Sequence, residues 1–317
     1  MERRQATVAT RKFMDIPFHS GFVAILGRPN AGKSTFVNQL VGQKVAIVTS
    51  RPQTTLSRVL GIVNRPHAQV VLIDTPGVHR AESALGRQMM EEVAQALEGI
   101  DVLAVMIDAS AGITRADRLV FQRAENFRGP RILLLNKIDR MSKPALLPLL
   151  ETCAREGEFA EMIPISALSG DGVEIALERF IAHLPEGEPN FPEDQVTDQP
   201  QRFLAAEIVR EKAMEATRNE VPHAVAVLID SFEEGERLTR ISASIHVERE
   251  GQKGILIGRR GEMLKEIGTA ARKELEEILG MKVFLELHVK VQPAWREDPR
   301  QVRELDWRRQ MERLSGE

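Results

Sequence analysis

An apolar run, Phe22–Leu26, ends in Gly27-Arg28-Pro29-Asn30-Ala31-Gly32-Lys33-Ser34, and a helical stretch, Thr35–Leu40, follows at once. Strand, glycine-rich turn and helix in that order constrain the fold more than any other feature of the chain. The turn matches G-x-x-x-x-G-K-[ST] in its confirming context. Its glycines let backbone N–H groups turn inward around phosphate oxygens, and the helix N-terminus adds its positive end. In such a loop Lys33 reaches the β- and γ-phosphates and Ser34 holds Mg²⁺.

The surrounding sequence supports that reading. Further apolar runs lie at Val70–Ile73, Val102–Ile107, Ile132–Leu135 and Met162–Ile165, with amphipathic stretches such as Glu82–Leu97 and Leu119–Phe127 between them. Runs apolar at nearly every position are strands buried on both faces. Strands alternating with helices predict a doubly wound α/β sheet, whose ligand sits at the carboxyl ends of the strands.

Those strand ends carry the remaining motifs. Asp74-Thr75-Pro76-Gly77 follows Val70–Ile73; an acidic residue there holds Mg²⁺, and the Gly77 N–H can touch a γ-phosphate. Asn136-Lys137-Ile138-Asp139 follows Ile132–Leu135. A carboxylate at Asp139 accepts two hydrogen bonds from guanine, which adenine cannot offer in that arrangement, so GTP is favoured over ATP. Ser166-Ala167-Leu168 follows Met162–Ile165, where a backbone N–H can meet guanine O6. Between the first two motifs, Gln53-Thr54-Thr55 lies in a polar stretch. One threonine there would complete a Mg²⁺ shell only while a γ-phosphate is present, making the stretch a switch. Thr55 is the first choice and Thr54 the second. Val78 occupies the position after Gly77 where Ras-like enzymes place a water-orienting Gln. Its side chain can neither donate nor accept, so the sequence names no general base.

Four prolines at 185, 189, 192 and 200 interrupt the rhythm and mark a linker over 185–200. Beyond it Arg202–Thr217 reads as a helix, and Ala224–Ile229, Leu238–Val247 and Lys282–Val291 as strands. Gly258-Arg259-Arg260-Gly261 follows Ile255-Leu256-Ile257 and opens a helix running through Leu279. A GXXG loop in an α-β-β-α-α-β frame points to a smaller α+β domain, a type II KH module that clamps about four nucleotides of single-stranded nucleic acid. From Arg249 to Lys273 seven Lys/Arg stand against three Glu, a basic patch in a chain of net charge −3. Lys253, Ile257, Gly258, Arg259, Arg260, Gly261 and Lys265 are the candidate RNA-binding residues, with bases meeting an apolar groove beside Ile255 and Ile257. The expected organisation is a disordered extension over 1–17, a GTPase domain over 18–184, the linker, a KH domain over 201–293 and a tail over 294–317.

Other features exclude function classes. A single cysteine, Cys153, allows no disulfide framework or cysteine-based zinc site, which suits a reducing cytoplasm. No stretch reaches the ~20 apolar residues of a membrane span. The basic start of the chain has no apolar run, so it is not a secretory signal. His223, His246 and His288 are too scattered for a metal site. Trp295 and Trp307, the latter beside Arg308 and Arg309, can cap the core or touch RNA or lipid, and both readings stay open.

Together these motifs resemble the Era family of bacterial GTPases. The resemblance continues through Phe191-Pro192-Glu193-Asp194, Gln201-Arg202-Phe203 and Glu248-Arg249-Glu250-Gly251-Gln252-Lys253. It implies a Mg²⁺-dependent enzyme that converts GTP to GDP. It also implies binding to the 3′ end of 16S rRNA and a role in 30S subunit assembly. Its setting would be the cytoplasm, with a peripheral contact at the inner face of the cell membrane as a further expectation; no obligate protein partner is evident. Era-like enzymes use an Asn at the place of Asn30 to hold K⁺ near the phosphates. One departure is Leu56-Ser57-Arg58, where Era proteins usually place Arg directly after the two threonines. Two rivals stand beside this reading: a GTPase of tRNA modification, which would need a further catalytic domain, and a membrane-associated switch.

Overall fold

The computed structural model describes residues 17–49, 51, 54–217 and 225–304. The first domain is a six-stranded sheet in the order β2-β3-β1-β4-β5-β6. Its strands are β1 (His19–Gly27), β2 (Val59–Arg65), β3 (Ala68–Asp74), β4 (Val102–Asp108), β5 (Arg131–Asn136) and β6 (Glu161–Pro164). All neighbours pair in parallel except β2 with β3. Both faces are covered, so β3 and β4 are buried at every residue. Alternation along β1 divides the core. Val23 and Ile25 pack with α1 (Lys33–Val41) and α5 (Val173–His183), where Phe36 meets Phe180 edge to face at 6.2 Å. Ala24 and Leu26 pack on the other side with α2 (Ala84–Gln95), α3 (Arg115–Ala124) and α4 (Lys143–Glu156). Cys153 sits in that second layer, and burial pushes its thiol up to about 11, out of nucleophilic use.

The antiparallel edge strand β2 was not among the apolar runs. Gly61 interrupts its pattern for a packing reason: a Cβ there would lie 2.6 Å from Val37 Cγ1 of α1.

The second domain places α6 (Gln201–Ala216), α7 (Glu250–Ile257) and α8 (Glu262–Leu279) on a three-stranded sheet. In it β7 (Ala226–Glu233) is antiparallel to β8 (Leu238–Val247), and β8 is parallel to β9 (Lys282–Val291). This is the α-β-β-α-α-β order expected of the sequence, with the apolar residues of α6, α7 and α8 forming its core.

The linker and the tail both carry defined contacts. The proline-rich stretch is pinned to the sheet edge: Ile62 N–H donates to Val196 O at 2.9 Å, and the buried Gln69 side chain accepts from Asn190 and Phe191 backbone N–H groups. The tail is folded as far as Glu304. A turn at Trp295–Glu297 and α9 (Pro299–Glu304) bring Trp295, only 3% exposed, and Val302 against Ala84, Leu85 and Met89 of α2, with Ala226 of β7 in the same cluster. Trp295 thus caps a core between the domains. Residues 1–16, Gln53, His223 and Trp307 with Arg308 and Arg309 lie outside the described residues. Among the described residues no helix is long and apolar enough to cross a membrane, and no cluster of His, Cys, Asp or Glu could hold a metal ion by itself.

Candidate functional site

The phosphate loop is shaped by two left-handed residues, Asn30 at φ 61° and Gly32 at φ 105°. A side chain at Gly32 would put its Cβ 2.1 Å from Asn136 Nδ2, so only glycine fits. The DxxG turn is pressed onto the same loop. Val78 N–H donates to Gly27 O at 3.0 Å, and a Cβ at Gly77 would lie 2.7 Å from Pro29. Thr75 anchors that turn by donating its hydroxyl to Ile25 O at 2.6 Å. Val78 itself is 2% exposed and belongs to the core beneath the sheet. No water-orienting group exists at that position.

Three oxygens meet beside the loop. Ser34 Oγ donates to Asp74 Oδ2 at 2.6 Å, Thr55 Oγ1 donates to the same oxygen at 3.2 Å, and the two hydroxyls are 3.1 Å apart. The structure therefore brings Thr55, not Thr54, to Asp74. Asp74 is fully buried, and its Oδ1 has no hydrogen-bond partner among the described residues. A buried, unpaired carboxylate oxygen costs about 1–3 kcal/mol. Burial pushes the Asp74 carboxyl up and the Lys33 ammonium down from their ordinary values, although each lies near the other's charge. A cation beside Asp74 and phosphate oxygens beside Lys33 would restore both charges, so the donor set fits Mg²⁺ with a polyphosphate.

At the other end of the site one buried amide joins three loops. Asn136 Nδ2 donates to Ala31 O at 2.8 Å, while its Oδ1 accepts from Lys137 N–H at 2.8 Å and Ala167 N–H at 2.9 Å. Lys137, at φ 68°, donates its ammonium to Asn30 O and to Asp108 Oδ2, both at 2.8 Å. Asp139 is exposed, and its Oδ1 accepts the Ser166 hydroxyl at 2.6 Å. Leu168 projects into solvent beside it.

Sequence reasoning missed Asp108 at the end of β4. It pairs with Arg28 at 3.3 Å as well as with Lys137, tying the phosphate loop to the base-binding loop. Burial alone would raise its carboxyl, yet the Lys137 and Ser110 hydrogen bonds and the Arg28 charge hold it below the ordinary value. An acidic residue closing a buried strand, as at Asp74, was the available signal.

In the second domain the GXXG loop separates α7 from α8. Gly258 at φ 71°, Arg260 at φ 54° and Gly261 at φ 81° are all left-handed, and a Cβ at Gly258 would lie 2.6 Å from Met263 Cβ. Arg259, Arg260 and Lys265 are exposed, Lys253 and Ile257 half-buried. These four cations make no ion pair among the described residues. The loop offers turned backbone and uncompensated charge to an anion.

The family model described as "50S ribosome-binding GTPase" matches residues 22–137, and that described as "KH domain" matches residues 220–296. GTPase Era of Syntrophus aciditrophicus is 45% identical over 294 residues, covering 92% of this chain and 96% of the relative. The chain belongs to the Era family of GTPases. Era of Geobacter metallireducens is 46% identical over 295 residues, covering 92% and 99%. Among solved structures, Era in complex with MgGDPNP and nucleotides 1506–1542 of 16S ribosomal RNA is 45% identical, with a TM-score of 0.88 over 92% of this chain and 99% of that one. A single-substitution variant of Aquifex aeolicus Era bound to GDP and AlF₄⁻ gives 44% and 0.87 over the same shares. The likeness to Era runs across both domains. The chain is a GTPase.

Proposed function

We propose that this Era-family GTPase is a nucleotide-driven switch that binds the 3′ end of 16S rRNA and assists 30S subunit assembly in the cytoplasm. The observation that carries the RNA assignment is the GXXG loop of exposed, unpaired cations, in a chain 45% identical over 92% of its length to the Era solved on nucleotides 1506–1542 of that RNA. Backbone turned by Gly258 and Gly261 would take phosphates, Arg259 and Arg260 would add charge, and the groove beside Ile255 and Ile257 would take bases. Crosslinking the full chain to RNA in cells and sequencing the attached fragments should return reads concentrated in the last forty or so nucleotides of 16S rRNA. Reads spread over tRNA or messenger RNA would remove the assignment.

On the nucleotide side, Gly27–Ser34 would wrap the phosphates, with Lys33 between the β- and γ-groups. Asn136, Lys137, Asp139 and the Ser166–Leu168 backbone would hold guanine. Ser34, Thr55 and Asp74 would hold Mg²⁺, which neutralises charge between the β- and γ-phosphates when bound. Gly77 N–H would meet the γ-phosphate. With Val78 in the core, this chain accelerates hydrolysis by positioning and charge stabilisation rather than by a side-chain base.

Asn30 is exposed on the loop and lines the phosphate cleft, so its amide can reach a monovalent cation there. K⁺ at Asn30 would supply positive charge where an arginine finger does in other GTPases. Turnover should therefore be about tenfold faster in K⁺ than in Na⁺, with Asn30→Ala abolishing the difference and Val78→Ala leaving it in place. Equal rates for the wild-type chain in both salts exclude the assignment.

A further inference from the structure

The backbone leading into Thr55 is held from outside the first domain. Two consecutive residues of α6, Arg210 and Glu211, each 2% exposed, do the holding. Glu211 Oε1 accepts the Val48 N–H at 2.9 Å, while its Oε2 is paired with Lys44 at 2.5 Å and Lys212 at 2.9 Å. Arg210 Nη2 donates to the Thr54 carbonyl, and the Glu207 carboxylate orients the guanidinium at 2.7 and 2.6 Å. Thr54 O belongs to the peptide bond that fixes Thr55, whose hydroxyl lies beside Ser34 and Asp74.

Ala205, Ile208 and Val209 already fasten α6 to the second domain's own core. Arg210 and Glu211 serve the opposite side. Burying charged groups costs desolvation that ion pairs alone seldom offset. Here each side chain, besides its ion pair, also holds a backbone group in the segment leading to Thr55. A rigid fork such as Arg fixes a carbonyl more closely than a lysine ammonium does.

We propose that Arg210 and Glu211 are positioning residues for GTP hydrolysis: by holding Thr54 and Val48 they present the Thr55 hydroxyl to the cation and γ-phosphate, so the second domain completes the first domain's site. The inference rests on the reading of Thr55 given above. GDP has no γ-phosphate and needs no Thr55, so loss of either group weakens GTP selectively.

Affinities of the full chain for GDPNP and GDP, measured with Mg²⁺, test this, together with single-turnover hydrolysis and melting temperature. Arg210→Ala should bind GDPNP about tenfold more weakly and GDP within about twofold, with a slower hydrolytic step and a higher Mg²⁺ requirement for GDPNP only. Arg210→Lys should recover part of the loss. Glu211→Leu, which keeps the size but removes the acceptor of the Val48 N–H, should shift the ratio in the same direction and provides a second reading if Arg210→Ala folds poorly. Equal weakening of both nucleotides, or a lower melting temperature with an unchanged GDPNP-to-GDP ratio, overturns the proposal. Thr55→Ala separates the two layers. If it leaves that ratio unchanged, the Thr55 reading fails and the inference with it; if it shifts the ratio while neither α6 variant does, the inference alone fails.

Discussion

Asp139→Asn is expected to weaken GTP binding by at least about a hundredfold and to raise affinity for xanthosine triphosphate. In the free site Asp139 is exposed, with Oδ1 engaged by the Ser166 hydroxyl. Bound guanine would cover the carboxylate and offer it the N1–H and the exocyclic amine. Hydrogen bonds to a charged acceptor are worth about 1.5–3 kcal/mol each, and about 1.4 kcal/mol is a factor of ten. An asparagine sets an N–H against one of those donors, leaving both unsatisfied in a covered site. Xanthine replaces the exocyclic amine with a carbonyl, which the new N–H can meet. The fold should tolerate the change, because Asp139 supports no core contact and the loop is held by Asn136 through Ala31 and Ala167. Competition of GTP, ATP and XTP for the variant reads the result directly. Retained GTP preference would mean that Asn136, Lys137 and the Ser166–Leu168 backbone select the base without Asp139.

Much of this site was legible because its chemistry is local. A phosphate loop needs its glycines, lysine and serine within eight residues, and each further motif begins where a buried apolar run ends. Parallel strands bring those ends to one edge, so spacing along the chain became proximity in space. What stayed hidden depended on distant partners. The strand β2 carries Gly61 because α1 lies too close for a side chain, which breaks the pattern that marks a strand. Nothing local marks Arg210 and Glu211 on their helix, because the backbone groups they hold lie 156 and 163 residues upstream in the first domain. Trp295 left two readings open until α2 was seen beneath it. In the free site Asp139 is exposed, so the pairing that favours guanine over adenine would act only once a base covers it.

The interdomain contacts change how the two halves must communicate. The proline-rich strap follows the β2 edge, whereas Val48 and Thr54 touch α6, and Leu56 joins the Trp295 cluster on α2. Any nucleotide-dependent movement around Thr55 would therefore have these packed side chains, and not the linker alone, as a route to the second domain. Coupling requires that this contact differ between the two nucleotide states.

Reversing charge at the clamp should show whether RNA uses it. Arg259 and Arg260 are exposed and make no ion pair among the described residues, so Arg259→Asp with Arg260→Asp removes two cations and adds two anions without disturbing a core contact. The double variant should bind a single-stranded oligonucleotide of the 16S rRNA 3′ end about a hundredfold or more weakly at low salt. Each phosphate contact on a single strand contributes about 0.7 to the slope of log affinity against log salt, so the slope should flatten by roughly 1.4. GTP and GDP affinities without RNA should match the wild type, because the loop lies on α7–α8 and not on the α6 face that meets the switch. The same RNA measured on the wild-type chain with GDPNP, with GDP and with no nucleotide then tests the coupling. If the γ-phosphate state favours the RNA-accessible arrangement, GDPNP should tighten RNA by about 5- to 150-fold, and RNA must tighten GDPNP by the same factor. Three equal RNA affinities would leave the domains as independent modules on one chain, and an unchanged affinity in the double variant would move the RNA away from the GXXG loop.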